Sequence, residues 1–119
     1  MTEWWRTISS DEAALIRTVV SAANIPGSDA LVDNLDAALM SHATEWILDV
    51  YPSTSARTTL PNGPFPVHAY VPSRADHRGE IIIWLTGGRI SGLEYAWTTD
   101  EPPERWPAPE EIEVVPDGQ

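Results

Sequence analysis

The chain has 119 residues, no cysteine and a net charge of −11 at neutral pH, and all seven of its cationic residues are arginine. Without cysteine it can form neither a disulfide framework nor a thiolate metal site, and without lysine it has neither a Schiff-base nucleophile nor a phosphate-loop lysine. The acidic balance argues against nucleic acid as a partner, because that backbone requires a basic surface.

The length suits a single α+β domain spanning residues 1–119. Residues 1–14 lack a basic segment followed by an apolar stretch, so they do not resemble a secretory signal. No apolar run approaches the ~20 residues needed to cross a bilayer. We therefore expect a cytoplasmic protein without membrane association, and no cofactor is indicated.

The first helix is predicted from its capping pattern. Ser9 and Glu12 have capping-box spacing, so the helix is expected to begin at Ser10, and residues 24–27 end it. An apolar stripe at helical spacing supports this prediction. The stripe consists of Leu15, Ile16, Val19, Val20 and Ala23.

A second helix is predicted from Asp29 to about Met40, with Ser28 as its cap. From residue 43 to residue 51 the apolar positions alternate, which favours a strand with Trp46, Leu48 and Val50 on one face. Continuation of the helix through His42 is the alternative.

The middle of the chain is predicted to contain one further strand. Residues 52–55 form a loop, residues 58–60 a short extended piece, and residues 61–64 a turn by composition. The strand runs from residue 65 to residue 71, with Val67, Ala69 and Val71 on one face. Residues 72–78 form a polar loop.

Residues 79–100 are predicted to form a central β-hairpin around which the rest of the chain is organised. The apolar run at residues 81–85 indicates a strand covered on both faces, and Gly87 and Gly88 supply a two-residue turn. The return strand is expected from Arg89 to Thr98.

The register of this hairpin is predicted by parity, because residues opposite each other share a face. The turn sets Leu85 opposite Ile90. A β-bulge at residues 91–92 then sets Ile83 opposite Leu93 and Ile81 opposite Tyr95, with Trp97 following on the same face.

The C-terminal segment is acidic and rich in proline. Residues 102–116 contain five prolines, and residues 100–119 contain seven acids against Arg105 alone. Such a segment is expected to be extended rather than helical. Trp106 is predicted to pin it to the body, and Ile112, Val114 and Val115 to add an edge contact.

Together these elements predict an α+β fold. Two N-terminal helices pack on an antiparallel sheet of about four strands, and the proline-rich tail lies along an edge. Sequential strand order is expected because short connections favour neighbours.

Three segments carry a resemblance to a known group. These are residues 25–31 (IPGSDAL), 87–95 (GGRISGLEY) and 100–107 (DEPPERWP). They resemble small acidic proteins of high-GC actinobacteria, with a helix start, a hairpin of the type "dGrLs-LE" and a proline-rich tail. The resemblance spans roughly residues 25–115 and implies no activity. Many members carry cysteines near the first strand, and their absence here means that a metal or redox role does not carry over.

No residue is predicted to be catalytic and none to bind metal. His42 and Glu45 have a spacing that could ligate a metal on a helix, but a zinc site needs three or four ligands. Ser91 is better explained by the bulge than as a nucleophile. Glu94 alternates away from the apolar face, so exposure or pairing with an arginine is expected, and burial would indicate a functional carboxylate.

Two sets of residues are candidates for binding. The first could contact a partner protein through aromatic or cationic side chains, and it comprises Trp4, Trp5, Arg74, His77, Arg78 and Trp106. The second could line a pocket, and it comprises His68, Tyr70 and Glu94.

The leading hypothesis is a non-enzymatic interaction module, of an immunity or regulatory type, which binds another protein, and the acidic surface favours a basic one. The negative charge and the six tryptophans favour it. One alternative is a small-ligand-binding protein or enzyme whose pocket uses Glu94, His68 and Tyr70. Another is a structural subunit of a homodimer joined edge to edge.

Overall fold

The computed structural model describes residues 5–71, 79–97 and 102–116. In these residues one α-helix and three 3₁₀ helices accompany an antiparallel sheet of eight strands. The helix α1 is Ser10–Ala23, and the 3₁₀ helices are Ser28–Val32, Leu35–Ala37 and Pro109–Glu111. The strands are β1 Arg6–Thr7, β2 Leu39–His42, β3 Ile47–Tyr51, β4 Gly63–Pro64, β5 Val67–Val71, β6 Gly79–Thr86, β7 Arg89–Ala96 and β8 Glu113–Pro116.

The predicted sheet of about four strands with two N-terminal helices is wrong. The strand order is β1-β2-β3-β7-β6-β5-β8, and β4 pairs with β6 beside β5. Sequential order also fails, because β3 pairs with β7 rather than with the next long strand along the chain. The central hairpin β6–β7 therefore lies inside the sheet, with β3 on one side and β5 on the other.

The start of α1 is confirmed. The Glu12 N–H donates to Ser9 Oγ at 3.1 Å, and the Ser9 N–H donates to Glu12 Oε1 at 2.9 Å, which completes the capping box. The helix ends at Asn24, whose φ of 53° lies in the left-handed region that terminates many helices.

The second predicted helix is wrong. Residues 28–37 form two short 3₁₀ helices, and Asn34 between them has a φ of 54°, which no continuous helix allows. Aspartate and asparagine compete with the helix by bonding locally, and four of them occupy residues 29–36. The Asn34 Nδ2–H₂ group also donates to the Ser53 carbonyl at 3.1 Å and to Ser53 Oγ at 2.9 Å, which fixes the break.

The end of that predicted helix belongs to the sheet. Residues 39–42 form β2, so continuation of a helix through His42 is wrong as well. The predicted strand is confirmed from Ile47 onward, where Leu48 and Val50 are buried and Ile47 and Tyr51 are exposed. Residues 43–46 form the connection between the two strands.

The strand predicted at residues 65–71 begins at Val67, with Ala69 buried as expected. Gly63 and Pro64, predicted as a turn, form the short strand β4 opposite Leu85 and Trp84. The loop predicted at residues 72–78 lies outside the described residues.

The bulged register of the hairpin is confirmed. Leu85 pairs with Ile90, Ile83 with Leu93 and Ile81 with Tyr95, and the register shifts between Trp84 and Leu85. The extra residue is Ser91, because Gly92 already pairs with Trp84. The return strand ends at Ala96 rather than at Thr98, which lies outside the described residues.

The C-terminal segment packs along the sheet as expected. Strand β8 pairs with β5, with Val114 opposite Ala69 and Val115 opposite His68, so the predicted edge contact is confirmed. The segment is not extended throughout, since Pro109–Glu111 form a 3₁₀ turn before β8.

One face of the sheet contributes to the core and the other faces outward. The buried residues of α1 form a single hydrophobic cluster with those of the strands, including Leu48, Ile83 and Leu93. The expected cover on both faces of β6 is wrong. Ile82 is half-buried, and Trp84 is 37% exposed.

Candidate functional site

The exposed apolar side chains of the described residues are gathered on the outward face. The large hydrophobic residues that remain exposed are Leu39 (37%), Ile47 (38%), Tyr51 (64%) and Trp84 (37%). The strand pairing places all of them on the face opposite the core. Single exposed hydrophobic residues are common on soluble proteins, whereas these four lie together on one face of one sheet.

The register shows how these four residues are related. Leu39 on β2 lies opposite Tyr51 on β3, and Ile47 on β3 lies opposite Glu94 on β7. Glu94 in turn lies opposite Ile82 on β6, next to Trp84 on the same face. We call the outward surface of the whole sheet, which carries Leu39, Ile47, Tyr51, Ile82 and Trp84, the open face.

The centre of the open face is built on a glycine. Gly92 on β7 lies between Asp49 on β3 and Trp84 on β6. A Cβ atom at Gly92 would lie 3.3 Å from Trp84 Cβ and 3.4 Å from Trp84 Cδ1, so a side chain there would press on Trp84. The indole Nε1–H donates to Glu94 Oε1 at 3.1 Å, which fixes the ring across β7.

Carboxylates accompany the apolar residues on this face. Asp49 pairs with Gly92, and Glu80 on β6 lies opposite Tyr70 on β5, which lies opposite Glu113 on β8. With Glu94 they give the open face acidic groups on four strands. These carboxylates make the face acidic.

A cluster of aromatic rings lies at one end of the sheet, where β3 begins and β7 ends. Trp46 makes edge-to-face contacts with Tyr95 at 5.8 Å and with Trp97 at 5.9 Å between ring centroids. Trp106 from the C-terminal segment packs on Trp46 at 6.1 Å and on Tyr95 at 5.7 Å. Its indole Nε1–H donates to the Glu45 carbonyl at 3.3 Å, so the predicted pinning by Trp106 is confirmed.

A groove of about 270 Å³ opens beside this cluster. Residues along its lining include Trp46, Tyr95 and Trp97, together with Ile47 and Glu94 of the open face. Glu94 is therefore shared by the groove and the centre of the face.

The predicted partner-binding residues are distributed unevenly. Trp5 packs edge-to-face on Tyr51 at 6.0 Å between centroids, which places it beside the open face. Trp106 belongs to the aromatic cluster. Trp4, Arg74, His77 and Arg78 lie outside the described residues.

The residues predicted to line a pocket share the open face but lie on different strands. His68 and Tyr70 are on β5 and Glu94 is on β7, with β6 between them. The rings of His68 and Tyr70 stack with centroids 5.6 Å apart, and His68 Nδ1 lies 3.2 Å from Glu80 Oε2. Glu94 is half-buried and accepts its hydrogen bond from Trp84, a partner that the sequence did not suggest.

Most residues of the open face were missed at the sequence level. The alternation in residues 46–50 already placed Ile47 outward, and the bulge placed Ile82 and Trp84 on the face away from Leu93. These signals identify the face, but they do not show that it remains uncovered.

The other residues considered as candidate sites make contacts that stabilise the fold. Ser91 is the bulge residue, and its Oγ lies 2.9 Å from Thr86 Oγ1. His42 Nε2 lies 2.9 Å from Arg6 Nη2 at the end of β2. Among the residues that the structure describes, no group of three or more His, Asp or Glu side chains is placed to hold a metal ion.

Two bidentate ion pairs anchor the ends of the chain. Arg6 donates to both carboxylate oxygens of Glu12 at 2.8 and 2.6 Å, which ties β1 to the start of α1. Burial raises the pKa of Glu12, but hydrogen bonds from Arg6 and Ser9 and the charge of Arg6 outweigh it, so this pKa is lowered overall.

The second ion pair lies beside the aromatic cluster. Arg105 donates to Glu111 at 2.7 and 2.9 Å, and the Ala108 N–H donates to Glu111 Oε1 at 2.7 Å. The hydrogen bonds from Arg105 and then from Ala108 lower the pKa of Glu111 to about 2. Burial raises the pKa of the Tyr95 phenol, and the Glu111 carboxylate adds to this effect while Arg105 opposes it.

Comparison of the chain with protein-family models, with curated proteins and with solved structures gave no match. Within the described ranges, no helix has the length and apolar character needed to cross a membrane.

Proposed function

We propose that this protein is a non-enzymatic interaction module whose open face binds a basic surface of another protein. The observation that carries the proposal is that Leu39, Ile47, Tyr51 and Trp84 share one face of the sheet. Interfaces combine aromatic and aliphatic anchors with polar groups in this way. The face is also held in place before binding, because the strands and the Trp84–Glu94 hydrogen bond fix its side chains.

The charge of the face favours a basic partner over a second copy of the chain. Pairing two open faces would bring Asp49, Glu80, Glu94 and Glu113 of one copy near the same carboxylates of the other. Such like-charge contacts are destabilising. A partner that presents arginine or lysine around an apolar centre would instead match both parts of the surface.

The experiment is comparative affinity capture from the native host with the tagged wild-type chain and two variants. Ile47→Ser/Tyr51→Ser removes two apolar anchors, and Asp49→Asn removes one charge from the face. Asp29→Asn is the matched control, because Asp29 is an exposed carboxylate on a 3₁₀ helix that packs with α1 and is not part of the open face.

We expect one basic protein to be retained by the wild type and by Asp29→Asn, lost with the double variant, and weakened by Asp49→Asn. Its capture should also fall between about 0.1 M and about 1 M salt, because screening shortens the range of charge attraction. Equal capture by the wild type and the double variant would contradict the proposal. A mass in light scattering that doubles with concentration, and no longer doubles in the double variant, would identify a second copy as the occupant instead.

A further inference from the structure

We propose that a pocket at the C-terminal end of α1 binds a small organic amine with an aliphatic body. The pocket has a volume of about 440 Å³. Its lining residues lie on α1, on the 3₁₀ helix Ser28–Val32 and on the turn between them, so it is separate from the open face. The inference therefore does not depend on the proposed function, and it can be tested without a partner protein.

The pocket forms because the chain reverses direction between two helical segments. Asn24, with a φ of 53°, ends α1, and Gly27, with a φ of 81°, precedes the 3₁₀ helix. The 3₁₀ helix then packs back against α1. On α1 the lining residues Arg17, Val20 and Asn24 are three or four positions apart, so they share one face of the helix. The pocket is the space between this face and the 3₁₀ helix.

Burial divides the pocket into an apolar floor and a polar rim. Val20 is 2% exposed, and Ile25 and Val32 are half-buried. The exposed residues of the rim are Arg17, Ser21, Asn24 and Asp29. The volume lies within the range of about 300–1,000 Å³ that is usual for small-molecule sites. A ligand of matching character therefore has an apolar body and a polar head.

Ser28 contributes an unused hydroxyl group to this pocket. The sequence predicted Ser28 as a helix cap, but Gly27 occupies the cap position and no side chain caps the 3₁₀ helix. Ser28 is 5% exposed and lines the pocket, and its hydroxyl makes no hydrogen bond within the described part of the chain. Because buried hydroxyl groups are normally hydrogen-bonded, the head group of a ligand would supply the missing partner.

The charges around the pocket favour a cation. The C-terminal end of a helix carries a partial negative charge, and the last turn of α1 contains no basic residue that would offset it. Asp29 adds a full negative charge at the rim. The charge of Arg17 is already compensated, since its Nη1 donates to Asp36 Oδ1 at 3.1 Å. A carboxylate ligand would face both the helix end and Asp29, whereas an ammonium ion is attracted by both.

An ammonium head also suits the two adjacent residues at the start of the 3₁₀ helix. It has three N–H donors, which are enough for the Asp29 carboxylate and the Ser28 hydroxyl together. Its aliphatic body would then cover Val20, Ile25 and Val32, and the burial of this apolar surface contributes to affinity. Recognition therefore requires both the charge of the head and the body attached to it.

The test is an NMR titration of the whole chain, labelled with ¹⁵N and ¹³C, with cyclohexylmethylamine as the probe. Three control compounds separate its properties. Cyclohexylmethanol has the same body with a neutral head, cyclohexanecarboxylate has a negative head, and methylamine has the charge without the body. The signals to follow are the methyl groups of Val20, Ile25 and Val32, and the indole N–H of Trp84 reports on the open face.

We expect cyclohexylmethylamine to shift the three methyl signals to saturation, and each control compound to bind more weakly. Asp29→Asn should weaken amine binding about three- to tenfold, because a charge-assisted hydrogen bond is lost. Ser28→Ala should weaken it about two- to fivefold, because a neutral hydrogen bond is lost. Asp11→Asn, an exposed carboxylate at the opposite end of α1, should have no effect.

Any control compound that binds as tightly as the amine would overturn the inference. Unchanged binding in Asp29→Asn, or shifts confined to the Trp84 indole, would overturn it as well. Asp29 is exposed, so Asp29→Asn remains a valid test even if Ser28→Ala does not fold. The same variant separates this inference from the proposed function, because it should lower amine binding and leave partner capture by the open face unchanged.

Discussion

Trp84 and Glu94 lie on neighbouring strands, and the indole Nε1–H of the first donates to the carboxylate of the second at 3.1 Å. The ring reaches its partner across Gly92, which has no side chain to obstruct it. This bond couples the centre of the open face to the groove at its end. It also explains how a large aromatic residue can stay partly exposed and still be fixed in position.

A double-mutant cycle tests this coupling. Trp84→Phe keeps a ring but removes the donor, and Glu94→Leu removes the acceptor. A hydrogen bond to a charged group at a partly exposed site should give a coupling of about 0.5–1.5 kcal/mol in the free energy of unfolding. Urea unfolding of the four proteins measures it. Glu94→Gln is the control, because it keeps an acceptor and should cost less than Glu94→Leu, and strictly additive effects would rule out the coupling.

The turn of the central hairpin gives a second prediction. Gly87 and Gly88 have φ values of 62° and 78°, which strain any residue with a Cβ atom. A Cβ at Gly87 would meet open space, whereas one at Gly88 would overlap the backbone of Thr58, whose N–H donates to the Gly88 carbonyl at 2.9 Å.

Gly87→Ala should therefore cost about 1 kcal/mol in the free energy of unfolding, which is the ordinary penalty of the left-handed conformation. Gly88→Ala should cost clearly more, about 2–4 kcal/mol, because the segment that contains Thr58 must move as well. Chemical denaturation of the two variants compares them directly. Equal losses would show that residues 58–60 do not hold the turn.

The hairpin shows what the sequence could predict and why. Its bulge followed from parity, because only one register buries Ile83 with Leu93 and Ile81 with Tyr95, and the extra residue, Ser91, lies beside a glycine. Local chemistry likewise identified the capping box of Ser9 and Glu12. Both features are determined by residues close together in the sequence, or by two strands joined by a single turn.

Features that depend on distant partners were not predicted. Leu39 continues the helical spacing of Leu31 and Leu35, yet residues 39–42 pair with β3. Asn34, whose amide group donates to Ser53, ends the helical pattern before them. Pairing of β3 with β7 joins segments about 45 residues apart, which no local pattern specifies. The apolar run at residues 81–85 likewise suggested cover on both faces, because hydrophobicity alone cannot distinguish a second core from a contact surface.

The Arg105–Glu111 pair predicts a defined pH dependence. The folded-state pKa of Glu111 is about 2, below its ordinary value of 4.5, so the folded chain binds this proton more weakly than the unfolded chain. The contribution of the pair to stability is therefore fully present above about 4.5 and is lost as the pH falls toward 2. A ¹³C titration of the Glu111 carboxyl group should show a midpoint near 2.

The melting temperature tests the same pH dependence, because it reports the stability of the folded chain. Glu111→Gln should melt below the wild type at neutral pH, and the difference should shrink through the acid range and vanish near pH 2. Glu110→Gln, an exposed neighbour in the same 3₁₀ turn, is the control and should follow the wild type more closely. A Glu111 midpoint at its ordinary value would mean that the pair does not hold the C-terminal segment in solution.

Adjacent residues of β3 test the distinction between the two faces. Leu48 is 1% exposed and packs in the core, whereas Ile47 is 38% exposed on the open face. Leu48→Ala should cost about 2–5 kcal/mol in the free energy of unfolding, because it leaves a cavity in a close-packed interior. Ile47→Ala should cost less than about 1 kcal/mol, since its side chain loses little burial and leaves no enclosed void.

Urea unfolding of both variants provides the comparison. Leu48→Ile is the control, because it changes the residue but keeps the side-chain volume and therefore leaves no cavity. If Ile47→Ala were as destabilising as Leu48→Ala, the face of Ile47 would be covered in solution and unable to receive a partner.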